Sequence, residues 1–238
     1  MRSVAKKLAP ESVRDGLIDL EGPEEDEKNA MDWASENLED FGPQAKRIPL
    51  PWLVKRRFLK RFLRDVHHYL FNVEHTPRPG ETFKVRDETR QRFVSALRAD
   101  GAADGPHIVV SHSMGTVIAY DCLKRVADCP HVDGLITIGS PLGIDEVQDK
   151  LRPGWSREDG FPSDKVGEGW VNVYGQLDVV AAADPKIRND YKKSGSSVVL
   201  DDHQSNWGVW RHDITKYLAG DQLRTHLRAM LSGSSVGN

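Results

Sequence analysis

Cysteine is scarce in this sequence: Cys122 and Cys129 are the only two in 238 residues. Two thiols seven positions apart supply neither the disulfide framework of a small secreted protein nor a set of metal ligands. We interpret them as ordinary, partly buried thiols on a helix. A chain of this length can instead bury an apolar core of its own, and we expect a cytoplasmic protein in a reducing compartment.

Long apolar runs are also missing from the sequence. The first residues, MRSVAKKLAP, carry positive charge, but no apolar segment of signal-peptide character follows them. No run approaches the roughly 20 apolar residues that cross a bilayer. The sequence therefore predicts neither a secretory signal nor a membrane-spanning helix.

A large excess of charge of either sign is lacking as well, since the formal net charge is only −3. A chain this close to neutral gives no reason to expect nucleic acid as a partner. The sequence contains no P-loop, no glycine pattern of a dinucleotide-binding turn and no cluster of metal ligands. We therefore expect no cofactor and no metal ion, and we look for chemistry among the side chains.

The charge that is present is unevenly distributed over the first seventy residues. Residues 1–45 contain an acidic stretch without clear periodicity, which predicts a solvated helix or a poorly ordered arm. Residues 51–70 predict an amphipathic helix whose lysines and arginines lie opposite an apolar face. That helix has two interpretations, a peripheral contact with anionic lipid or a cover over a sheet with its basic face in water.

Strand and helix patterns alternate along the rest of the chain. Residues 144–169 are polar and rich in proline and glycine, which predicts a long loop or a cap insertion. This alternation predicts an α/β fold, a mainly parallel central sheet flanked by helices, in one domain over 1–238. The predicted helices cover 82–99, 116–126 and 221–231, and the predicted strands cover 107–111, 133–141, 170–175 and 196–201.

The segment HIVVSHSMGTVIAYDCL, residues 107–123, places Ser113 between a buried strand and a helix. A serine on such a tight turn projects its hydroxyl clear of the sheet, where an acyl-transfer nucleophile is needed. The N–H of Met114, at the start of the helix, is the candidate donor to an oxyanion. Gly115 is the small residue that we expect to permit close packing. The alternative is that Ser113 simply caps the helix.

A serine needs a base, and the base needs a partner that fixes its tautomer. Asp178 follows the predicted strand 170–175 and is the candidate acid, with Asp184 second in the same loop. His212 and His203 follow the next strand and are the candidate bases. His112 adjoins the serine, but neighbouring side chains on a strand point different ways. The alternative for the aspartate is an ordinary Asx turn, although the order Ser, Asp, His at strand ends favours catalysis.

Four segments together resemble the α/β-hydrolase superfamily, and more closely its bacterial esterase-like and lipase-like members. They are HIVVSHSMGTVIAYDCL, LITIGSPLGI, WVNVYGQLDVVA and WRHDITKYL, within residues 85–231. The resemblance implies a serine hydrolase with Ser113 as nucleophile, Asp178 as acid and His212 as base, with His203 in reserve. It implies a small-molecule or lipid ester as the substrate.

The chain departs from the family pattern at two places. Ser111 stands where a glycine usually precedes the nucleophile by two residues. The family also opens with an apolar strand ending in His-Gly, whose loop supplies a second oxyanion donor, and no such strand precedes residue 107. Either the first strands are missing or the second donor comes from elsewhere. A sheet edge left open in this way would be covered by a homodimer partner, another protein or a lipid surface.

Two further interpretations remain, one from these departures and one from the segment 144–169. A hydrolase fold without its oxyanion loop would serve in binding or assembly, as a weak or inactive enzyme. Within an active enzyme, residues 144–169 would cap an acyl pocket lined by Trp155, Phe161 and Trp170, although plain packing of these aromatic side chains is the simpler expectation.

Overall fold

A computed structural model of the protein describes residues 64–100, 105–181, 184–208 and 211–233. The acidic arm predicted over 1–45 and most of the amphipathic helix predicted over 51–70 lie outside these ranges. Residues 64–70 are helical, and Val66, Tyr69 and Leu70 are buried among other core side chains. This end of the predicted helix therefore covers protein, and the lipid contact predicted for 51–70 stays a prediction.

After the helical residues 64–70 come a hairpin and then helices and strands, mostly in alternation. Their order is β1 (Glu74–Arg78), β2 (Glu81–Lys84), α1 (Val85–Asp100), β3 (Ile108–His112), α2 (Met114–Arg125), β4 (Val132–Ile138), α3 (Asp145–Leu151), β5 (Val166–Tyr174), β6 (Val199–His203), α4 (Ile214–Ala219) and α5 (Asp221–Leu231).

The central sheet has four strands in the order β3-β4-β5-β6, and all three pairings are parallel. In register, Ser111 lies opposite Thr137, which lies opposite Asn172 on β5. Strands β1 and β2 form a separate antiparallel pair. The predicted α/β fold with a mainly parallel sheet is confirmed, and the carboxyl ends of its strands meet at one edge.

Side chains of the sheet pack into two apolar layers, one on each face, because a parallel sheet is covered by helices on both faces. Leu135 on β4 packs into the larger layer, which also holds residues of α1 and α2, whereas its neighbour Ile136 packs into the layer that holds Leu223 of α5. The alternation follows from the two-residue period of a strand. Among the described residues, no helix combines the length and the apolar character that crossing a bilayer requires.

The helix predicted over 82–99 begins at Val85, because residues 81–84 pair with β1 as a strand. The hairpin was not predicted, since its short strands lack an alternating apolar pattern. The strand predicted over 196–201 spans Val199–His203. The helix predicted over 221–231 has the bounds Asp221–Leu231.

Residues 144–169 do not form one long loop, because this segment contains α3 and the first residues of β5. The alternative, a cap insertion over these residues, stays a prediction. Its glycines suggested a loop, yet Gly167 lies in the strand, where an added Cβ would stand 3.2 Å from the Asp133 carbonyl oxygen. Trp155 and Phe161 are buried in the larger apolar layer together with Trp170. These aromatic side chains therefore form core packing.

Candidate active site

The turn between β3 and α2 holds Ser113 in a conformation that L-residues rarely adopt. Its φ is 55° and its ψ is −130°, which costs on the order of 1–3 kcal/mol and persists only where neighbours enforce it. The Ser113 N–H donates to the Ile138 carbonyl oxygen at 3.1 Å, and the Ser113 carbonyl accepts from the Thr116 N–H at 2.9 Å. The Ser113 hydroxyl makes no capping bond to the helix. The cap interpretation is therefore wrong.

A pair of hydroxyl groups ties this turn to the one that follows β4. Thr116 Oγ1 donates to the Ser113 carbonyl at 2.7 Å and lies 2.8 Å from Ser140 Oγ. Ser140 Oγ also accepts from the Leu142 N–H at 3.2 Å. Thr116 and Ser140 are both buried, and this link holds the strained turn against the end of β4.

His212 lies between Ser113 and Asp178. Its Nε2 is 2.8 Å from Ser113 Oγ, and its Nδ1 is 2.8 Å and 2.9 Å from the two carboxylate oxygens of Asp178. An ionised carboxylate only accepts, so Nδ1 carries the proton and donates to Asp178. Nε2 of the neutral ring is then the acceptor of the Ser113 hydroxyl proton. The structure thus brings together the three side chains that sequence reasoning selected.

Asp178 is fully buried in the turn after β5 and is held by several donors. Its Oδ1 accepts from the Val180 N–H at 2.8 Å, so the carboxylate does form the expected Asx turn while it also binds His212. Its Oδ2 accepts from the Tyr217 hydroxyl at 2.6 Å. Burial alone would raise the pKa of Asp178, but the hydrogen bond and positive charge of His212, with the Tyr217 and Val180 donors, lower it below its usual value. The carboxylate is therefore ionised at neutral pH.

His112 contacts His212 rather than Ser113. Its Nε2 donates to the His212 carbonyl oxygen at 2.9 Å, and the two imidazole rings are 4.6 Å apart between centroids. Burial, together with the positive charge that His212 can carry, lowers the pKa of His112. The neutral His112 ring therefore fixes the backbone at His212 through its hydrogen bond to the His212 carbonyl oxygen. Sequence reasoning assigned His112 no role, because its partner is 100 residues away.

Gly139 lies directly beneath the pair formed by Asp178 and His212. Its φ is +55°, and an added Cβ would stand 2.9 Å from Asp178 Oδ2 and 3.2 Å from His212 Nδ1. The glycine is therefore required both by its backbone and by this close approach. At Gly115, in contrast, an added Cβ would meet no atom within 4 Å, so the packing role expected for that residue is wrong.

The remaining candidate acid and base lie apart from this cluster. His203 is exposed at the end of β6, where its ring is 5.6 Å from the Tyr174 ring. Asp184 Oδ1 accepts from the Lys186 N–H at 3.4 Å, and burial together with the charge of Asp190 raises the pKa of Asp184 to about 6. His212 and Asp178, rather than His203 and Asp184, therefore contact each other beside Ser113.

Met114 is the first residue of α2, where a backbone N–H has no partner within its own helix. This position is compatible with an oxyanion donor, and that role stays a prediction. Within the described ranges, β3 is an edge strand of the sheet, and no strand lies on its far side to carry a second donor. No group of three or more histidine, cysteine, aspartate or glutamate side chains in this part of the chain is arranged to hold a metal ion.

Comparison with known proteins yields no match for this chain, whether with protein-family models, with curated proteins or with solved structures. A function for the chain therefore has to be argued from the geometry around Ser113 and from the motifs that surround it.

Proposed function

We propose that the protein is a serine hydrolase of the α/β-hydrolase type that cleaves carboxylic esters through an acyl-enzyme. The observation that carries the proposal is the continuous hydrogen-bonded chain from Ser113 Oγ through His212 to the buried carboxylate of Asp178. A capping serine would not need a histidine 99 residues away, and an Asx turn would not need an imidazole. The strained φ of Ser113 supports the same conclusion, because strain of this kind concentrates at functional sites.

In the first half of the reaction, Ser113 Oγ attacks the acyl carbon while its proton passes to His212 Nε2. Asp178 stabilises the imidazolium that forms and keeps the ring oriented. The tetrahedral intermediate then collapses, His212 returns the proton to the departing alkoxide oxygen, and an alcohol leaves. In the second half, His212 takes a proton from water, the hydroxide attacks the acyl-enzyme, and the acid product leaves Ser113 as its proton is restored.

The developing oxyanion needs donors at the start of α2, and the Met114 N–H is the proposed one. A second donor would come from a segment beside β3. Losing one such donor typically lowers the rate by about 10²–10³. If the Met114 N–H is the single oxyanion donor, we therefore expect ester hydrolysis at a moderate rate.

The proposed substrate is a small-molecule or lipid ester, and activity on esters should exceed activity on amides. A peripheral contact of residues 51–70 with lipid, pairing of two copies and a cytoplasmic location belong to the same proposal. Liposome flotation of the wild type beside a variant with the 51–70 lysines and arginines replaced by glutamine tests the lipid contact. Absence of salt-sensitive binding would remove it.

The test of activity is hydrolysis of p-nitrophenyl esters, from acetate to palmitate, by the wild type, Ser113→Ala and Ser111→Ala. Ser111 is the matched control, because it lies on β3 two residues before Ser113 and its hydroxyl donates to the Ile136 carbonyl oxygen at 3.5 Å. We expect Ser113→Ala to lose the activity by about 10⁴-fold or more and Ser111→Ala to retain most of it. Equal activity in all three proteins would refute the proposal.

A fluorophosphonate probe supplies a test that does not depend on the choice of ester. The probe should label Ser113 in the folded chain, and mass spectrometry of the labelled peptide should locate it there. Labelling that persists in Ser113→Ala, or a folded wild type that takes up no probe, would count against a working nucleophile.

The second candidate function is binding or assembly by a hydrolase fold that lacks a complete oxyanion site. The edge position of β3 favours it, since the described residues contain no strand beside β3 that would supply the second donor. In this case a partner captured by the wild type would bind Ser113→Ala with equal affinity. The intact arrangement of Ser113, His212 and Asp178 favours the enzyme.

A further inference from the structure

The hydroxyl of Tyr217 lies between the acid and the end of β5. It is 2.6 Å from Asp178 Oδ2 and accepts from the Gly175 N–H at 3.1 Å. Tyr217 lies on α4, and its side chain is fully buried. An added Cβ at Gly175 would stand 3.2 Å from this hydroxyl, so the glycine leaves room for the contact.

The direction of these two hydrogen bonds follows from the chemistry of the groups. The Gly175 N–H is a donor only, so it occupies a lone pair of the phenol oxygen. The single phenol proton is then directed to the ionised Asp178. The Asp178 carboxylate therefore accepts hydrogen bonds from His212 Nδ1, from the Tyr217 hydroxyl and from the Val180 N–H, with a longer one of 3.4 Å from the Ala181 N–H.

We propose that Tyr217 is a positioning residue for the proposed reaction, which sets the orientation of Asp178 and limits how strongly that carboxylate holds the proton of His212. This inference rests on the proposed function. A carboxylate with a second strong donor has less negative charge available for the imidazolium. His212 can therefore be neutral, and ready to accept the Ser113 proton, at a lower pH than it would be if Asp178 had no hydrogen bond from Tyr217.

Helix α4 holds Tyr217 close to His212 in the chain, because the helix begins at Ile214, two residues after His212. Asp213 caps this helix by accepting from the Thr215 N–H at 2.8 Å, so the helix start follows the base immediately. The same short stretch therefore supplies both the base and a donor to the acid. Among the described residues, the charged or titratable groups that contact His212 include Asp178 and His112, and Asp213 is its neighbour in the chain. Tyr217 contacts Asp178, and its ring lies 6.0 Å from the His112 ring.

The test compares Tyr217→Phe with Tyr120→Phe in steady-state ester hydrolysis across pH. Tyr120 is the matched control, because it is also fully buried and donates one hydrogen bond of 2.7 Å, to the Gly160 carbonyl oxygen in the larger apolar layer. We expect Tyr217→Phe to lower kcat by about 10- to 100-fold, the range for a lost hydrogen bond to a charged group, with KM changed by less than about twofold.

The pH profile separates positioning from simple loss of stability. In Tyr217→Phe the acidic limb of the kcat/KM profile should move to higher pH by roughly half to one unit. The reason is that Asp178, without the hydrogen bond from Tyr217, stabilises the His212 imidazolium more strongly. In Tyr120→Phe the acidic limb should stay in place even if the melting temperature falls. An unmoved limb in folded Tyr217→Phe, or an equal shift in both variants, would overturn the proposal.

A double-substitution cycle shows whether Tyr217 acts through Asp178. The rate at which a fluorophosphonate labels Ser113 replaces hydrolysis as the readout, because the Asp178→Asn variant should hydrolyse esters too slowly for steady-state kinetics. The effect of Tyr217→Phe should largely vanish when Asp178 is already Asn. Additive effects of the two substitutions would contradict the proposal.

If Tyr217→Phe does not fold, a measurement on the wild-type protein still tests the role of Tyr217. With tyrosine labelled by ¹³C, the Tyr217 hydroxyl proton should give a slowly exchanging, low-field resonance in NMR, whether or not esters are hydrolysed. Its presence in a chain without esterase activity would support the contact and refute only the proposed reaction. Its absence in the folded wild type would overturn the role of Tyr217.

Discussion

At the scale of single residues, the site depends on side chains and backbone positions that tolerate little change. Ser113 accepts an unfavourable φ because the Ile138 carbonyl and the Thr116 side chain hold it from opposite sides. The strained turn directs the half-buried Ser113 hydroxyl at His212. The cost of the strain, about 1–3 kcal/mol, must be offset by packing elsewhere in the chain.

Gly139→Ala should lower ester hydrolysis by about 100-fold or more, because the new Cβ would displace Asp178 and His212 by a fraction of an ångström to an ångström. The positive φ adds a stability cost of about 1 kcal/mol. The control is Gly169→Ala on β5, where the added Cβ would make only an ordinary 3.7 Å contact with Met230. Steady-state kinetics and thermal melts measure both effects, and full activity in Gly139→Ala would show that the close approach is unimportant.

Asp184→Asn should stabilise the protein near neutral pH. The pKa of Asp184 is raised to about 6, first by burial and then by the charge of Asp190, above an unfolded value of about 3.9. The folded state therefore loses stability as pH rises from about 4 to about 6, and the loss is complete above that.

Thermal melts should show the gain of Asp184→Asn at pH 7 and no gain below pH 4, with a size of about 2 °C or less because the group is partly solvated. Asp164→Asn, which removes an exposed carboxylate, is the control. A gain that is the same at all pH values would assign the effect to something other than ionisation.

At the scale of elements, a buried carboxylate on α2 ties together three helical segments. Asp121 accepts from Arg90 of α1 at 2.7 Å and 2.9 Å and from the Tyr69 hydroxyl at 2.7 Å. Arg125, one turn further along α2, lies 3.2 Å from the same carboxylate. This network sets the position of α2, the helix that begins directly after Ser113.

Asp121→Asn keeps the shape of the side chain but leaves the Arg90 charge without its partner. We expect the free energy of unfolding to fall by about 3–5 kcal/mol, as when one member of a buried ion pair is removed. Urea unfolding followed by circular dichroism measures the change. Asp128→Asn is the control, since the 2.6 Å pair of Asp128 and Arg98 is exposed, and it should leave the unfolding midpoint nearly unchanged.

At the scale of the whole molecule, the parallel sheet explains why residues distant in sequence meet. Ser113 follows β3, Gly139 follows β4 and Asp178 follows β5, so all three emerge at the same edge. Crossover connections between parallel strands return the chain to the opposite edge each time, which keeps the carboxyl ends together. His212 reaches this edge from the segment after β6.

The two apolar layers share the sheet, so we expect the chain to unfold as one domain. Tryptophan fluorescence reports on the larger layer through Trp155 and Trp170, whereas far-ultraviolet circular dichroism reports on all helices, including α5 on the other face. The two transitions in urea should coincide, as they do in two-state unfolding. Separate midpoints would show that the layers belong to independently unfolding units.

The sequence by itself determined the alternation of strands and helices, the bounds of α5, and the selection of Ser113, Asp178 and His212 as the residues of interest. Burial periodicity, turn residues and the order of reactive side chains after strands give Ser113, Asp178 and the two histidines as candidates. The preference for His212 comes from the resemblance to the α/β-hydrolase superfamily. The same local information left His203 beside His212 as a candidate and treated 144–169 as a loop.

Only the tertiary structure decided which histidine meets Ser113, which donors hold Asp178 and how Gly139 is used. These contacts join residues that are 34 to 99 positions apart, and no local pattern specifies them. His203 ends a strand and points at Tyr174, whereas His212 lies on the segment that folds back over the sheet edge. The physical reason is that periodicity encodes which face of an element is buried, while the partner across the core is set by how the elements pack.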